Sequence, residues 1–367
     1  MKIKELPFSL LLLTLFAIPL SGIAQTFDKE RLVSRSFKTT ASTEIEVTNK
    51  YGDIHLIPWD QDSVRFDIRL QVKSTKQSKL DKTFDFIDFD FKANNYYIIA
   101  QTVFEQGGSF WSEVSDIANN LFSAGTSTSI DYTIHLPKNA RVSLQNKYGD
   151  IYLTDFSGSM SIDLSNGNLK AHDLTGPLNL VVNFGDVDIQ TLNEAEITLN
   201  YGEFHLDEGH QLKLNNRSAS VYANKIDHLS LDGKRSKYYL DELENLDGES
   251  YFSNMDIDLL TQSMSLNVRY GALDLKSVGS KVTTLDLTSN DADLTLMLEP
   301  EKSYNIQLLV TDKTEVLYSS KITNIKTDEA RTADDKIKAT CTIGPKKQPV
   351  VPVNITSEAG RLSLKMK

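Results

Sequence analysis

The residues most able to do chemistry in this chain recur at one place in a repeated hexapeptide. Asp150, Asn168, Asp186 and Glu203 each follow a glycine, at 149, 167, 185 and 202, in steps of 18, 18 and 17 residues. Stacked side by side, these groups would lie about 5 Å apart, and like charges at that spacing need solvent or a counter-ion. A hard cation such as calcium could bridge them. Asp and Asn are also ordinary turn residues after glycine, and the dense Gly-Asp repeats of calcium-binding β-rolls are missing, so the turn role is the expectation. In front of the glycines stands a second column, Tyr148, Phe184, Tyr201 and Tyr270, interrupted by Asn166. Aromatic rings lining a groove could stack on sugars. A column packed on itself contributes about 0.5–1.5 kcal/mol per pair, and that structural use is the favoured reading.

Other reactive residues are scattered. His55, His135, His172, His205, His210 and His228 show no HExxH or comparable ligand spacing, so a metal is not expected. Cys341 is the only cysteine. An intramolecular disulfide is therefore impossible, and the thiol reads as a small buried hydrophobe. There is no GxSxG elbow, P-loop or GxGxxG motif. Neither cofactor nor catalytic residue is expected. Acidic residues are plentiful enough to keep open a glycosidase with paired carboxylates, but none is singled out as a pair. The basic clusters 234–237 and 346–347 read as solvated surface.

The elements that position these residues follow from the repeat. Its pattern is aromatic–Gly–acidic–apolar–x–apolar, as in Tyr51-Gly52-Asp53-Ile54-His55-Leu56 and Tyr148-Gly149-Asp150-Ile151-Tyr152-Leu153. Gly167, Gly185, Gly202, Gly271 and Gly360 mark further copies, and Gly360 opens the last one at Leu362 and Leu364. Degenerate copies fall at Val221 and Ala223, Tyr238 and Leu240, Ile257 and Leu259, and Leu294 and Leu296. Apolar residues alternate on both sides of the glycine, which is the strand signal, and their phase slips by one residue there. A strand changes its buried face only through a bulge or turn, and glycine is expected to supply the positive φ of that corner. One unit cannot bury its apolar stripe alone, whereas units stacked about 4.8 Å apart share a core. The expected fold is all-β, a single-chain β-solenoid of about 17–18 residues per rung. Roughly nine or ten rungs would form a rod on the order of 45 Å long. An antiparallel sandwich would explain the alternation but not a motif returning in register.

Two stretches break the period, at about 61–140 and 300–352, and read as caps or lateral insertions. The first holds strands at 64–70, 96–103 and 130–136, a short helix near 79–86 and a Gly/Ser-rich loop with Trp111. Residues 1–24 have the layout of a signal peptide: Lys2 and Lys4, an apolar run from Leu10 to Leu20, then Gly22 and Ala24 before the cleavage site. The expected domains are thus a signal peptide, 1–24, and a β-solenoid, 25–367, with no membrane span after cleavage. A formal net charge of −11 disfavours nucleic acid and anionic lipid as partners.

The segments NKYGDIHL, NKYGDIYL, VNFGDVDI and LNYGEFHL, behind a signal peptide, resemble the bacterial putative-adhesin β-helix family. The resemblance runs from about Ile45 to the C-terminus. It implies an exported one-chain β-helix whose short final rung is here Ser357 to Leu364. The expected role is a non-enzymatic scaffold in the periplasm or on the outer surface of a Gram-negative cell, with a glycan or an envelope protein as partner. Two alternatives stay open: a carbohydrate-active enzyme on a β-helix, and a periplasmic partner of an envelope-stress regulatory system.

Overall fold

The structure is a computed structural model that describes residues 26–104, 125–323, 325–332, 334–345 and 350–367. The expected signal peptide, residues 1–24, and Trp111 lie outside the described residues. The chain is all-β, with one helix, Gln77–Phe86, among the described residues. Strands join into one long sheet whose central part is parallel and follows the repeat. Strand Leu169–Asn183 pairs in parallel with Val187–Asn200, which pairs with Glu203–Arg217, then Ser220–Lys234, Lys237–Tyr251 and Asn254–Arg269. Equivalent residues stack: Leu180 beside Ile197 and Leu214, and Val187 beside Phe204 and Val221.

Each unit turns twice. At the corner the buried positions switch phase: Leu178, Leu180 and Val182 before it, Val187 and Ile189 after it, all in one core cluster. At the second turn some units hold an extra residue, as register breaks at Leu174/Pro177 and Leu243/Asn245 show. This insertion, and not the corner, makes a unit 18 residues long and not 17. The register also moves one expected pair. Met255 and Ile257 lie beside Tyr238 and Leu240, so the Ile257–Leu259 assignment is shifted by two residues. Alternation alone cannot detect an even slip, because the same face stays buried.

The positive φ at the corner does not belong to the glycine. It belongs to the residue before it: Tyr51, Tyr148, Asn166, Phe184, Tyr201 and Tyr270, and likewise Ser218, Arg235, Phe252 and Asp291 in the degenerate units. Gly360, at φ +101°, is the exception among the repeat glycines. Glycine is needed for a different reason, close approach. A Cβ on Gly149 would sit 1.9 Å from the Gly52 carbonyl oxygen, one on Gly167 2.0 Å from that of Gly149, and one on Gly185 1.8 Å from that of Gly167. Buried Asn146 completes this corner by donating from Nδ2 to the carbonyls of Gly52, at 3.1 Å, and Gly149, at 2.9 Å. Asn49 does the same for Gly52 and Ile130.

Farther along, Ala219, Ser236 and Ser253 take the glycine's place and the bonding changes. Lys237 N–H donates to the Ala219 carbonyl and Asn254 N–H to the Ser236 carbonyl. Ser236 N–H donates to Ser253 Oγ, at 3.0 Å. Tyr238, in a position held by Val in other units, reaches across the core to donate to Asn216 Oδ1 at 2.6 Å. Gly233 makes room for its hydroxyl, since a Cβ there would lie 1.8 Å from the Tyr238 oxygen.

Both ends are threaded out of sequence order. Strand Glu44–Lys50 lies between Tyr97–Phe104 and Arg141–Lys147. Val350–Ser357 lies between Thr284–Asn290 and Ser303–Val310, so the final unit is not the outermost. Ser63–Ser74 runs antiparallel between Phe27–Lys38 and Thr126–Pro137. Phe37, Phe66 and Phe91 pack together at this end.

Gly185→Ala should lower stability by about 2–3 kcal/mol, because backbone has to yield. Ala219→Gly, at the equivalent corner, should cost no more than about 1 kcal/mol. Urea unfolding of the two variants measures the contrast, and equal losses would refute the close-approach explanation.

Candidate functional site

The acidic ladder is a hydrogen-bonding device. Each side chain before Glu203 accepts the backbone N–H of its counterpart one unit on: Asp53 Oδ1 from Asp150 at 2.8 Å, Asp150 Oδ1 from Asn168 at 2.8 Å, Asn168 Oδ1 from Asp186 at 2.9 Å, and Asp186 Oδ1 from Glu203 at 2.9 Å. The corner interrupts the regular backbone ladder, and these oxygens supply the acceptors that it lacks. Asn168 does the task as well as Asp, so charge is not what the position requires.

The aromatic column faces outward. Tyr148 is 45% exposed, Phe184 57%, Tyr201 45% and Tyr270 41%. The rings stack in pairs: Tyr51 on Tyr148 with centroids 5.4 Å apart, Phe184 on Tyr201 at 5.0 Å, and Phe252 on Tyr270 at 4.9 Å. Asn166 separates the first pair from the second, and Ser218 and Arg235 separate the second from the third. The repeat pattern misses Phe252 because Ser253 stands where the glycine would be. Lys147 attends the ridge, its Nζ 5.1 Å from the Tyr148 ring centroid.

A second outward column lies four residues on, at the x of apolar–x–apolar. His55 stacks on Tyr152 at 4.7 Å and 10°. His205 stacks on Tyr222 at 4.7 Å, and Tyr222 on Tyr239 at 5.1 Å. The only sequence signal for it is residue type at that x position, read in 17–18-residue register. Tyr152 is held by its hydroxyl, which donates to Asp150 Oδ2 at 3.0 Å, and this bond raises the phenol pKa. Between Tyr152 and His205 stand Lys170 and Asp188, where the strand surface forms a groove of about 750 Å³. The other half of each unit carries a concavity too, lined by Pro177, Glu194, Gln211 and His228, but without Tyr, Phe or Trp.

The remaining histidines go to separate places. His210 pairs with Asp227 at 2.6 Å, and His172 lies 3.7 Å from Asp155. His135 contacts Arg65 and Asp67, and its pKa is lowered by burial first and by the Arg65 charge second. Cys341 is buried, donates to the Thr323 carbonyl and has its thiol pKa raised by burial. Among the described residues no group of His, Cys, Asp and Glu is arranged to hold a metal, and no helix is long and apolar enough to cross a membrane.

Asp186→Asn should leave stability within about 0.5 kcal/mol, and Asp186→Ala should cost about 1–2 kcal/mol. Millimolar calcium should not move the unfolding midpoint of the unaltered protein. A midpoint that rises with calcium and falls with EDTA would show that the carboxylates bind the ion.

No family model matches the chain, and no curated protein does. Three solved structures resemble it at low similarity. One, from Clostridium sporogenes, is described as a putative cell adhesion protein; it is 9% identical, with 92% of this chain and 100% of that chain covered and a TM-score of 0.19. Another, from Bacteroides fragilis, is described as a putative adhesin (10% identity, 91% and 97% coverage, TM-score 0.29). A third, from Parabacteroides distasonis, is described as a putative lipid binding protein, with 10% identity, the same coverages and a TM-score of 0.29. The first two descriptions name the kind of bacterial protein that the repeat resembles.

Proposed function

We propose that the chain is an exported β-helical scaffold with an adhesin-like, non-enzymatic role: a β-solenoid that presents its aromatic ridge to a glycan or protein of the cell envelope. The observation that carries this reading is the choice of residue at the corner. A non-glycine residue at positive φ costs roughly 1–2 kcal/mol, and Asn bears that conformation best. Asn166 shows that Asn fits the corner here. Two aromatic residues in a stacked pair gain about 0.5–1.5 kcal/mol from each other beyond the area they cover. That stacking gain alone does not offset the conformational cost of two such residues. Asn would make the turn at lower conformational cost than Tyr148, Phe184, Tyr201 or Tyr270, and exposed strain of this kind is found at binding sites. Rings raised on a hydrogen-bonded ladder are also pre-ordered, which lowers the entropy lost on binding.

The test replaces all four rings with Asn. The variant should keep its strand content and its thermal midpoint while losing binding to an envelope fraction. A variant that binds as well as the unaltered protein, or that unfolds, would mean the rings serve the fold.

A further inference from the structure

The geometry points to a second binding site, resting on the scaffold reading but separate from the ridge: the groove at Tyr152, Lys170 and Asp188 is a subsite for an uncharged pyranose oligosaccharide lying along the ladder. Three observations converge. The first is a platform. Tyr152 has one face against His55 and its hydroxyl tied to Asp150, so its other face is turned toward the unit that carries Lys170. A sugar ring seated there gains apolar contact with a fixed ring.

The second is a pair of unused charges. Lys170 and Asp188 are register partners on adjacent units. Elsewhere on this surface such partners close into ion pairs: Lys225 with Glu208 at 3.1 Å, and Lys213 with Glu196 at 2.9 Å. Lys170 and Asp188 make no ion pair and no side-chain hydrogen bond among the described residues. An ammonium donates only and a carboxylate accepts only. Neighbouring sugar hydroxyls do both, so a vicinal diol spans the two groups as neither can do for itself.

The third is spacing. Three unit steps separate Tyr152 from His205, where the rings resume, or roughly 14 Å at about 4.8 Å per step. Contact distance at each ring face takes about 4 Å, leaving room for a sugar ring above Lys170 and Asp188. Gln190 and Asp207 extend the polar lining. The carboxylates of Asp188 and Asp207, in a chain of formal charge −11, oppose a uronate or sulfated chain and favour a neutral one.

Titration calorimetry of the mature protein with cellohexaose, laminarihexaose and chitohexaose, and with hexagalacturonate as the acidic counterpart, tests the assignment. At least one neutral hexasaccharide should bind and hexagalacturonate should not. Tyr152→Ala and Lys170→Ala should each weaken that binding about tenfold or more. Tyr96→Ala, an exposed aromatic outside both columns, should leave it unchanged. Binding that survives both groove substitutions, or a preference for hexagalacturonate, overturns the subsite and leaves the scaffold reading standing. No binding to any neutral hexasaccharide overturns it too, and envelope binding by the ridge then decides the scaffold reading separately.

Discussion

The constraint on which the repeat depends is the contact between a glycine α-carbon and the carbonyl of the glycine one unit before it. Within the first run of units, a methyl group at Gly149, Gly167 or Gly185 would come within about 2 Å of backbone oxygen. Such a corner closes only if the chain turns sharply, and the turn is made by the residue before the glycine, at positive φ. The residue after the glycine loses its regular backbone partner, and from Asp150 to Glu203 the Asp or Asn at the same place one unit before supplies the acceptor. Aromatic, glycine and acid are thus three parts of one turn: conformation, clearance and acceptor. Ala219, Ser236 and Ser253 show a second solution, in which the corner carbonyl itself takes the next N–H and the acid is dispensable.

Stacking at one fixed step has a consequence on the outside. Every outward position becomes a column, so each residue faces its own counterparts above and below. Like charges in a column repel and rings in a column stack. The acids after the glycine meet this problem through the N–H donors that face them. The rings meet it by pairing. Lys213 and Glu196, and Lys225 and Glu208, meet it by alternating sign. Where register partners alternate in sign but do not close into an ion pair, as at Lys170 and Asp188, the surface is left with unspent hydrogen-bonding capacity, and that is where a ligand has most to offer.

Much of the architecture was legible because the repeat is written in residue types. The parallel register of the central units follows from the glycine steps, and the helix near 79–86 and the strands near 64–70 and 130–136 appear at Gln77–Phe86, Ser63–Ser74 and Thr126–Pro137. The corner chemistry was only half legible. Glycine pointed to positive φ, yet close approach was the reason for it, and a sequence carries no record of distance between units. Asn49 and Asn146 stand three residues before their glycines, where Leu164 and Val182 stand in other units, and as polar residues they did not register as core. The second aromatic column escaped because an outward x position looks unconstrained until its register partners are known. The order of units at the two ends was not legible at all, since nothing local tells Val350–Ser357 to enter between two strands that precede it.

That end order bears on how the edges of the ladder are closed. A ladder of parallel strands has two open edges, and open edges recruit other chains. At one end Ser303–Val310 is covered by Ile337–Ile343, and that strand by Lys326–Arg331, both antiparallel. At the other, Phe27–Lys38 is an outer strand rich in Lys and Arg, residues that blunt edge pairing. Threading ties Glu44–Lys50 and Val350–Ser357 on both sides to strands distant in sequence, so neither is an edge strand that can fray. The central units are then held from both sides. The groove lies where the first end meets those central units, and the ridge runs on along them. A ligand extended along the axis would therefore meet groups fixed by the ladder itself, and its binding would depend on keeping that step constant more than on any one side chain.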